Sequence, residues 1–168
     1  GVEVVSISGK LSMKARLFSL VLLSGNNGGN LSVNPLTGDI VCPSSSRIYC
    51  ITKDGAKKWE TDRIEPSTTR NPTMYSGCGA CFSNDCSVVF MCCTPRAMYA
   101  FKASDGTILD KFSFDSKAGY PESNQCQMAV YGNNNIVVHL KGYMAAFFSF
   151  DGSKFTLETT IATALSGS

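Results

Sequence analysis

The dipeptide Asp-Gly recurs three times in this chain, each time between two runs of apolar and β-branched residues. The glycines of these dipeptides are Gly55, Gly106 and Gly152, and the aspartates before them are 51 and 46 residues apart. A glycine adopts positive φ without steric cost, and Asp-Gly is a pair favoured in tight turns between antiparallel strands. The chain is therefore expected to fold as a series of β-hairpins, with a turn at each of these points.

Each Asp-Gly pair belongs to a longer repeat with one plan. A β-branched strand is followed by a tight turn, an aromatic and apolar strand, the Asp-Gly turn and a last strand. The centre of the repeat reads RIYCITKDG, AMYAFKASDG and YMAAFFSFDG in its three copies. In the preceding strands, Ile40, Val88 and Ile136 are spaced by 48 residues. Such a period indicates a repeat architecture, and short strands in hairpins indicate a β-propeller.

The repeat organises the chain as a single propeller segment. Residues 28–63, 76–116 and 124–161 are each predicted to form one blade, a four-stranded antiparallel sheet. Residues 1–23 align with the second half of the repeat, because Gly9 precedes Gly55 by 46 residues, and they are predicted to form the trailing half of an earlier blade. The predicted fold class is all-β, a partial β-propeller of about three and a half blades.

Two stretches of the chain, GDIVCPSSSRIYCITKDGAKKW and CSVVFMCCTPRAMYAFKASDGTILDKF, resemble the repeat of the PQQ-like (quinoprotein-type) propeller family. In that family a strand of the type Gly-Asp/Thr-Val-Tyr leads into Leu-Tyr-Ala-Leu-Asp, a glycine and a closing tryptophan. The first copy keeps the tryptophan as Trp59, whereas Asp110 and Thr156 stand at the same offset in the other two. The resemblance implies blades of a larger ring, and Trp59 is expected to pack between blades.

A partial propeller leaves apolar faces uncovered at its ends, because each blade buries its faces only on its neighbours. We therefore expect one of three arrangements: a fragment of a longer polypeptide, an open arc within an assembly, or a module whose ring is completed by a protein partner or a second copy. Loops of a propeller carry most of its contacts, and the polar stretches at 61–76 and 118–124 are the predicted binding loops. Their candidate partner-binding residues are Arg63, Arg70, Tyr75, Tyr120 and Glu122.

The charge pattern argues against a nucleic-acid partner. The net charge is +2, from 15 basic and 13 acidic residues, and no basic cluster is present. No apolar run approaches the length that a membrane-spanning helix needs, so no membrane span is expected. We predict a cytoplasmic or other intracellular location, with a luminal or secreted one as the alternative.

Most of the eight cysteines are interpreted as small buried apolar side chains in a reducing compartment. Cys78 and Cys81 have the C-x-x-C spacing of redox and zinc sites, and Cys86 lies close after them. A structural zinc site takes four ligands, usually from two such pairs, and the sequence contains no second pair. We therefore predict no metal site, with these three cysteines as the candidates if one exists.

The function expected from these features is that of a non-catalytic binding or scaffold module. The sequence lacks a nucleophile-elbow motif and a phosphate-binding loop, and its single histidine, His139, stands alone in a strand, so we predict no catalytic residue. The alternatives are a segment of a quinoprotein dehydrogenase or other multidomain enzyme, and a luminal sensor domain. No cofactor is expected under the first interpretation, and PQQ is the cofactor of the enzymatic alternative.

Overall fold

The computed structural model of the protein describes residues 31–44, 47–62, 80–93, 97–114, 127–140 and 144–162. These residues form three four-stranded sheets, so the predicted all-β class is confirmed. The first sheet contains β1 (Ser32–Val33), β2 (Ile40–Ser44), β3 (Arg47–Ile51) and β4 (Lys57–Glu60). The second contains β5 (Ala80–Phe82), β6 (Val88–Cys93), β7 (Ala97–Lys102) and β8 (Ile108–Ser113). The third contains β9 (Gln127–Tyr131), β10 (Asn135–Leu140), β11 (Met144–Phe150) and β12 (Phe155–Ala162).

Every sheet is a meander in which each strand pairs antiparallel with the next strand of the chain. The described ranges contain no helix, and hence none that could cross a membrane. The turns between the third and fourth strands carry the Asp-Gly pairs, and their glycines have φ of +82° at Gly55, +78° at Gly106 and +100° at Gly152. The positive φ predicted for these glycines is therefore confirmed. The trailing half blade predicted at 1–23 lies outside the described residues.

In the second sheet, the register of the repeat in the structure differs by one residue from the register predicted by the sequence spacing. Ile40 pairs with Ile51 and Ile136 with Phe148, and the equivalent residue of the second sheet is Val89, which pairs with Phe101. Val88 was expected at this position, but its side chain points to the opposite face. The two neighbouring valines are both buried because the second sheet is covered on both faces, so alternation could not distinguish them.

The second sheet lies between the other two. One set of its side chains, including Val89, Met91 and Phe101, packs with Val41 and Ile48 of the first sheet. The alternate set packs on the third sheet; its members from both sheets include Val88, Phe90, Cys92, Met98, Ala100, Ile136, Val138, Ala146 and Phe148. We name the face that each sheet turns towards the next sheet in the chain its forward face, and the opposite one its back face.

One position in the fourth strand connects each sheet to the next. Trp59 pairs with Cys50, and its indole Nε1 donates a hydrogen bond of 2.9 Å to the carbonyl oxygen of Ala103 in the second sheet. Asp110 is the equivalent residue of the second sheet, and its Oδ2 accepts a hydrogen bond of 2.8 Å from the backbone N–H of Phe155 in the third. The predicted packing of Trp59 between blades is therefore confirmed.

The third residue of this series is Thr159, which pairs with Phe147, and the assignment of Thr156 from its offset to the glycine was wrong. The third hairpin closes in a shorter turn, in which the N–H of Asp151 donates to the carbonyl of Lys154. Because the turn is shorter, the pairing of β11 with β12 begins closer to Asp151, at Phe150 and Phe155. The residue equivalent to Trp59 therefore lies later in β12 than the offset from the glycine predicts.

Candidate functional site

The candidate site is a cavity at the end of the sheets where the Asp-Gly turns lie, which we call the turn end. In a four-stranded meander the first-to-second and third-to-fourth turns share one end. Both kinds of turn from the second and third sheets reach this end, together with residues of the first sheet, and they enclose a cavity of about 750 Å³. This volume lies within the range of pockets that hold small molecules or short peptide segments.

The floor of the cavity is apolar. Val88, Ala103 and Phe150 line it and are buried, and Leu109 lines it half-buried. Val88, Leu109 and Phe150 belong to the core between the second and third sheets, so the floor is the exposed margin of that core. An apolar floor supplies affinity for a ligand, and the polar groups around it supply orientation.

On the first-sheet side, the charged group of the wall is Lys58. Its ammonium lies 2.6 Å from Oδ2 of Asp39, a carboxylate that is buried except for 7% of its surface. The hydrogen bond from Lys58 lowers the pKa of Asp39, although burial opposes the shift, and the same hydrogen bond raises the pKa of Lys58. Both groups are thus held in their charged forms at neutral pH.

On the other side, the wall carries two aspartates. Asp85 accepts hydrogen bonds from the hydroxyls of Ser83 and Ser87, which lower its pKa, the bond from Ser83 contributing most. Asp151 accepts from the backbone N–H and the hydroxyl of Ser153, and these bonds lower its pKa. Both carboxylates are therefore ionised at neutral pH and are held in place by the turns that carry them.

The turn that contains Asp85 has a strained backbone. Cys86 follows it with φ of +61°, a conformation that costs a non-glycine residue about 1–2 kcal/mol. Asn134 of the third sheet has φ of +57°, and its side-chain Oδ1 accepts a hydrogen bond from the backbone N–H of Asn84. Asn84 in turn donates from Nδ2 to the carbonyl of Gly132. These bonds connect the first turns of the second and third sheets and fix that part of the cavity wall.

The cysteines proposed from sequence do not form a cluster within the described residues. Cys81 is half-buried in β5 beside the core between the second and third sheets, and burial raises its pKa to about 12. Cys86 is buried at the cavity, and Cys78 lies outside the described residues. In the ranges that the structure describes, no group of three His, Cys, Asp or Glu side chains could hold a metal ion.

The partner-binding loop residues proposed from sequence, Arg63, Arg70, Tyr75, Tyr120 and Glu122, all lie outside the described residues. The cavity lies at the turn end, whereas β4 and β8, from which those loops continue, run away from it. Sequence reasoning missed Asp85 and Asp151 as site residues because hairpin turns were interpreted only as structural. It missed Lys58 because this residue lies in β4 and meets the other cavity residues only in the folded structure. The available signal was the repetition of Asp in these turns.

Comparison with known proteins identifies the fold of the chain but assigns it to no family. No family model matches the sequence, and no curated protein matches it. Solved structures do match. Hsv2 from Kluyveromyces lactis is similar over 83% of this chain and 49% of its own, with a TM-score of 0.61 and 14% identity. BamB from Moraxella catarrhalis is similar over 79% of this chain and 36% of its own, with a TM-score of 0.59 and 9% identity.

The chain has a β-propeller fold. A third similar structure, a protein of unknown function from Bacteroides caccae, matches over 82% of this chain and 46% of its own, with a TM-score of 0.55 and 17% identity. The chain thus spans less than half the length of each of the three proteins named here. At these identities the likeness shows the fold alone, and each sheet of the chain corresponds to one blade.

Proposed function

We propose that this chain is a non-catalytic binding module of the β-propeller type, which holds an extended segment of a protein partner in the cavity at the turn end. The observation that carries the proposal is the composition of that cavity. An apolar floor is flanked by two cations, Lys58 and Lys102, and by two fixed carboxylates, Asp85 and Asp151. An extended peptide offers matching features, since its side chains alternate between two faces and its backbone carries donors and acceptors.

The pKa shifts of Lys58, Asp85 and Asp151 favour a binding role for the cavity over acid–base catalysis. A general acid or base works best when its pKa lies near the working pH. The pKa values of Asp85 and Asp151 are lowered and that of Lys58 is raised, so all three shifts move away from neutrality. These groups are suited to fix the position of a charged partner.

A role for the repeats as PQQ-like blades belongs to the same proposal. Its support is the sequence resemblance around RIYCITKDG and AMYAFKASDG and the position of Trp59 between two blades. The module is proposed to use this scaffold without its cofactor. The structural neighbours Hsv2 and BamB share the propeller fold with the chain.

The test is selection of linear peptides from a random display library against the purified chain, followed by fluorescence polarisation with the best binder. Ser104 is an exposed residue of the cavity wall, so Ser104→Trp should fill the cavity and weaken binding at least about tenfold. Ser113 is also exposed but ends β8 away from the turn end, and Ser113→Trp should leave the affinity unchanged.

Two results would contradict the proposal. One is that no selected peptide loses affinity in Ser104→Trp relative to Ser113→Trp. The other is enzymatic: addition of PQQ and calcium to the chain, followed by a shift in absorbance and reduction of a dye, would show quinoprotein activity and overturn the non-catalytic assignment.

A further inference from the structure

The two cations that line the cavity at the turn end are already paired within the chain. The ammonium of Lys58 lies 2.6 Å from Oδ2 of Asp39, and that of Lys102 lies 3.4 Å from Oδ2 of Asp105. Neither of these aspartates lines the cavity, but each neutralises a lysine that does. The lysines therefore add little net positive charge to the cavity.

The two carboxylates that line the cavity have no such counter-ion. Asp85 and Asp151 accept hydrogen bonds only from serine hydroxyls and backbone N–H groups. In the part of the chain that the structure describes, neither forms an ion pair. Neutral donors hold a carboxylate in place but leave its charge uncompensated, so the net charge of the cavity wall is negative.

Asp151 also has an oxygen that is open to a ligand. Its Oδ1 accepts from the backbone N–H and the hydroxyl of Ser153 and from the N–H of Lys154, each at 2.8 Å. Its Oδ2 accepts no hydrogen bond from the residues that the structure describes. Hydrogen bonds between a cationic donor and a carboxylate are about twice as strong as neutral ones. The turn thus fixes the carboxylate by one oxygen and leaves the other for a cation.

Apolar surface lies close to both carboxylates in the chain. Phe150 directly precedes Asp151, and Val88 follows Asp85 by three residues; both apolar side chains line the cavity and are 5% exposed. The side chains of lysine and arginine lay their aliphatic stems on apolar surface while the charged head stays at the polar margin. A side chain of this type therefore matches both the floor of the cavity and the charge of its wall.

We propose that the partner segment in the cavity carries a lysine or arginine, whose stem lies on Val88 and Phe150 and whose head pairs with Asp151. The carboxylate of Asp85 adds to the negative field in which this pair forms. The inference rests on the proposed function, since it names the chemistry of the segment that the cavity would hold. An acidic segment would meet two uncompensated carboxylates and only paired lysines, so the cavity discriminates against it.

The first experiment examines the ligand. Peptides selected from the display library should be enriched in lysine or arginine at one position and depleted of aspartate and glutamate there. The best binder is then made with an acetylated N-terminus and an amidated C-terminus, so that no terminal charge contributes. Norleucine at the basic position keeps the stem and should weaken binding about two- to fivefold, because the carboxylates are exposed. Glutamate there should weaken it at least about tenfold.

The second experiment examines the chain. Asp151→Asn keeps an oxygen for the turn but removes the charge, and it should weaken the basic peptide about two- to fivefold and the norleucine peptide not at all. The matched control is Asp54→Asn. Asp54 precedes Gly55 as Asp151 precedes Gly152, and it is exposed at the turn end but does not line the cavity. Its substitution should leave both affinities unchanged.

Ionic strength provides an independent measurement. Raising the salt concentration from about 0.01 M to about 1 M shortens the Debye length from about 30 Å to about 3 Å. The affinity of the wild-type chain for the basic peptide should therefore fall over this range, and its affinity for the norleucine peptide should fall less. Equal salt dependence of the two peptides would show that no ion pair forms.

The outcomes separate this inference from the proposed function. If Ser104→Trp weakens binding but norleucine, glutamate and Asp151→Asn have no effect, the cavity binds a segment that needs no cation, and only this inference is wrong. Equal weakening by Asp151→Asn and Asp54→Asn would also overturn it, because the charge would then act from a distance. If Ser104→Trp leaves binding unchanged, the proposed function fails and this inference fails with it. The peptide substitutions do not depend on the folding of any variant.

Discussion

Replacing Gly106 by alanine should destabilise the chain through its contact with Trp59. A Cβ atom at this position would lie 2.7 Å from Cε3 and 2.9 Å from Cδ2 of the indole. The ring cannot easily retreat, because its Nε1 is hydrogen-bonded to the carbonyl of Ala103 and it is only 7% exposed between the first and second sheets. The expected loss is about 2–5 kcal/mol, of which about 1–2 comes from the positive φ and about 1–3 from overpacking.

The control is the same substitution in the next repeat. Gly152 has φ of +100°, and a Cβ there would meet nothing within 4 Å. Gly152→Ala should therefore cost only the backbone strain, about 1–2 kcal/mol. The difference between the two alanine variants isolates the contact with the indole, which we expect to be about 1–3 kcal/mol.

The assay is urea unfolding followed by circular dichroism and by tryptophan emission. Trp59 is the only tryptophan of the chain, so its emission reports directly on this contact. In a Trp59→Leu background, measured by circular dichroism, Gly106→Ala should cost no more than Gly152→Ala. If the two alanine variants lose the same free energy of unfolding in the wild-type background, within about 0.5 kcal/mol, the reasoning is refuted. The indole would then move away from the new Cβ without a measurable loss of stability.

Three further predictions concern the turn end. By urea unfolding, Cys86→Gly should be more stable than Cys86→Ala by about 1 kcal/mol, because glycine relieves the positive φ; equal stabilities would argue against that strain. Lys58→Met should cost about 1 kcal/mol at pH 7 and Lys57→Met, in an exposed ion pair, less than about 0.5. The lowered pKa of Asp39 adds stability that is present above pH 4 and lost as the pH falls through its folded pKa, and Lys58→Met should flatten this acid dependence; a parallel pH profile would contradict it. Asp110→Ala should cost about 1–2 kcal/mol and Asp110→Asn much less, since the amide oxygen can still accept from the third sheet; similar losses would exclude the hydrogen bond as the cause.

The sequence was sufficient for features that depend on local backbone chemistry. Asp-Gly predicted the positive φ of the three glycines, because few other residues tolerate that conformation. Trp59 was predicted to pack between blades, since a large aromatic side chain at the end of a repeat needs an apolar neighbour. The Asp-Gly turns recur with the repeat, which made them visible, whereas Trp59 occurs only in the first copy.

Register and charge contacts were not predictable in the same way. Val88 and Val89 are both buried, so their apolar character does not reveal which of them faces the first sheet. Asp39 lies just before β2 and Lys58 lies in β4, 19 residues further along the chain. Since β2 and β4 are not neighbours in the sheet, only the folded structure brings the two side chains within 2.6 Å. The candidate site depends on contacts of this second kind, and it was therefore missed.

The contacts between sheets also determine the shape of the cavity. The indole of Trp59 binds the carbonyl of Ala103, and Ala103 lines the cavity floor. Asp110 binds the N–H of Phe155, which follows the turn that places Asp151 and Gly152 in the cavity wall. The first of these hydrogen bonds joins the first and second sheets and the other joins the second and third, so together they fix the spacing of the three sheets around the cavity. The two hydrogen bonds use different side chains and join different pairs of sheets. Loss of the Trp59 bond should therefore change the cavity between the first and second sheets, and loss of the Asp110 bond should change it between the second and third, and neither bond should compensate for the loss of the other.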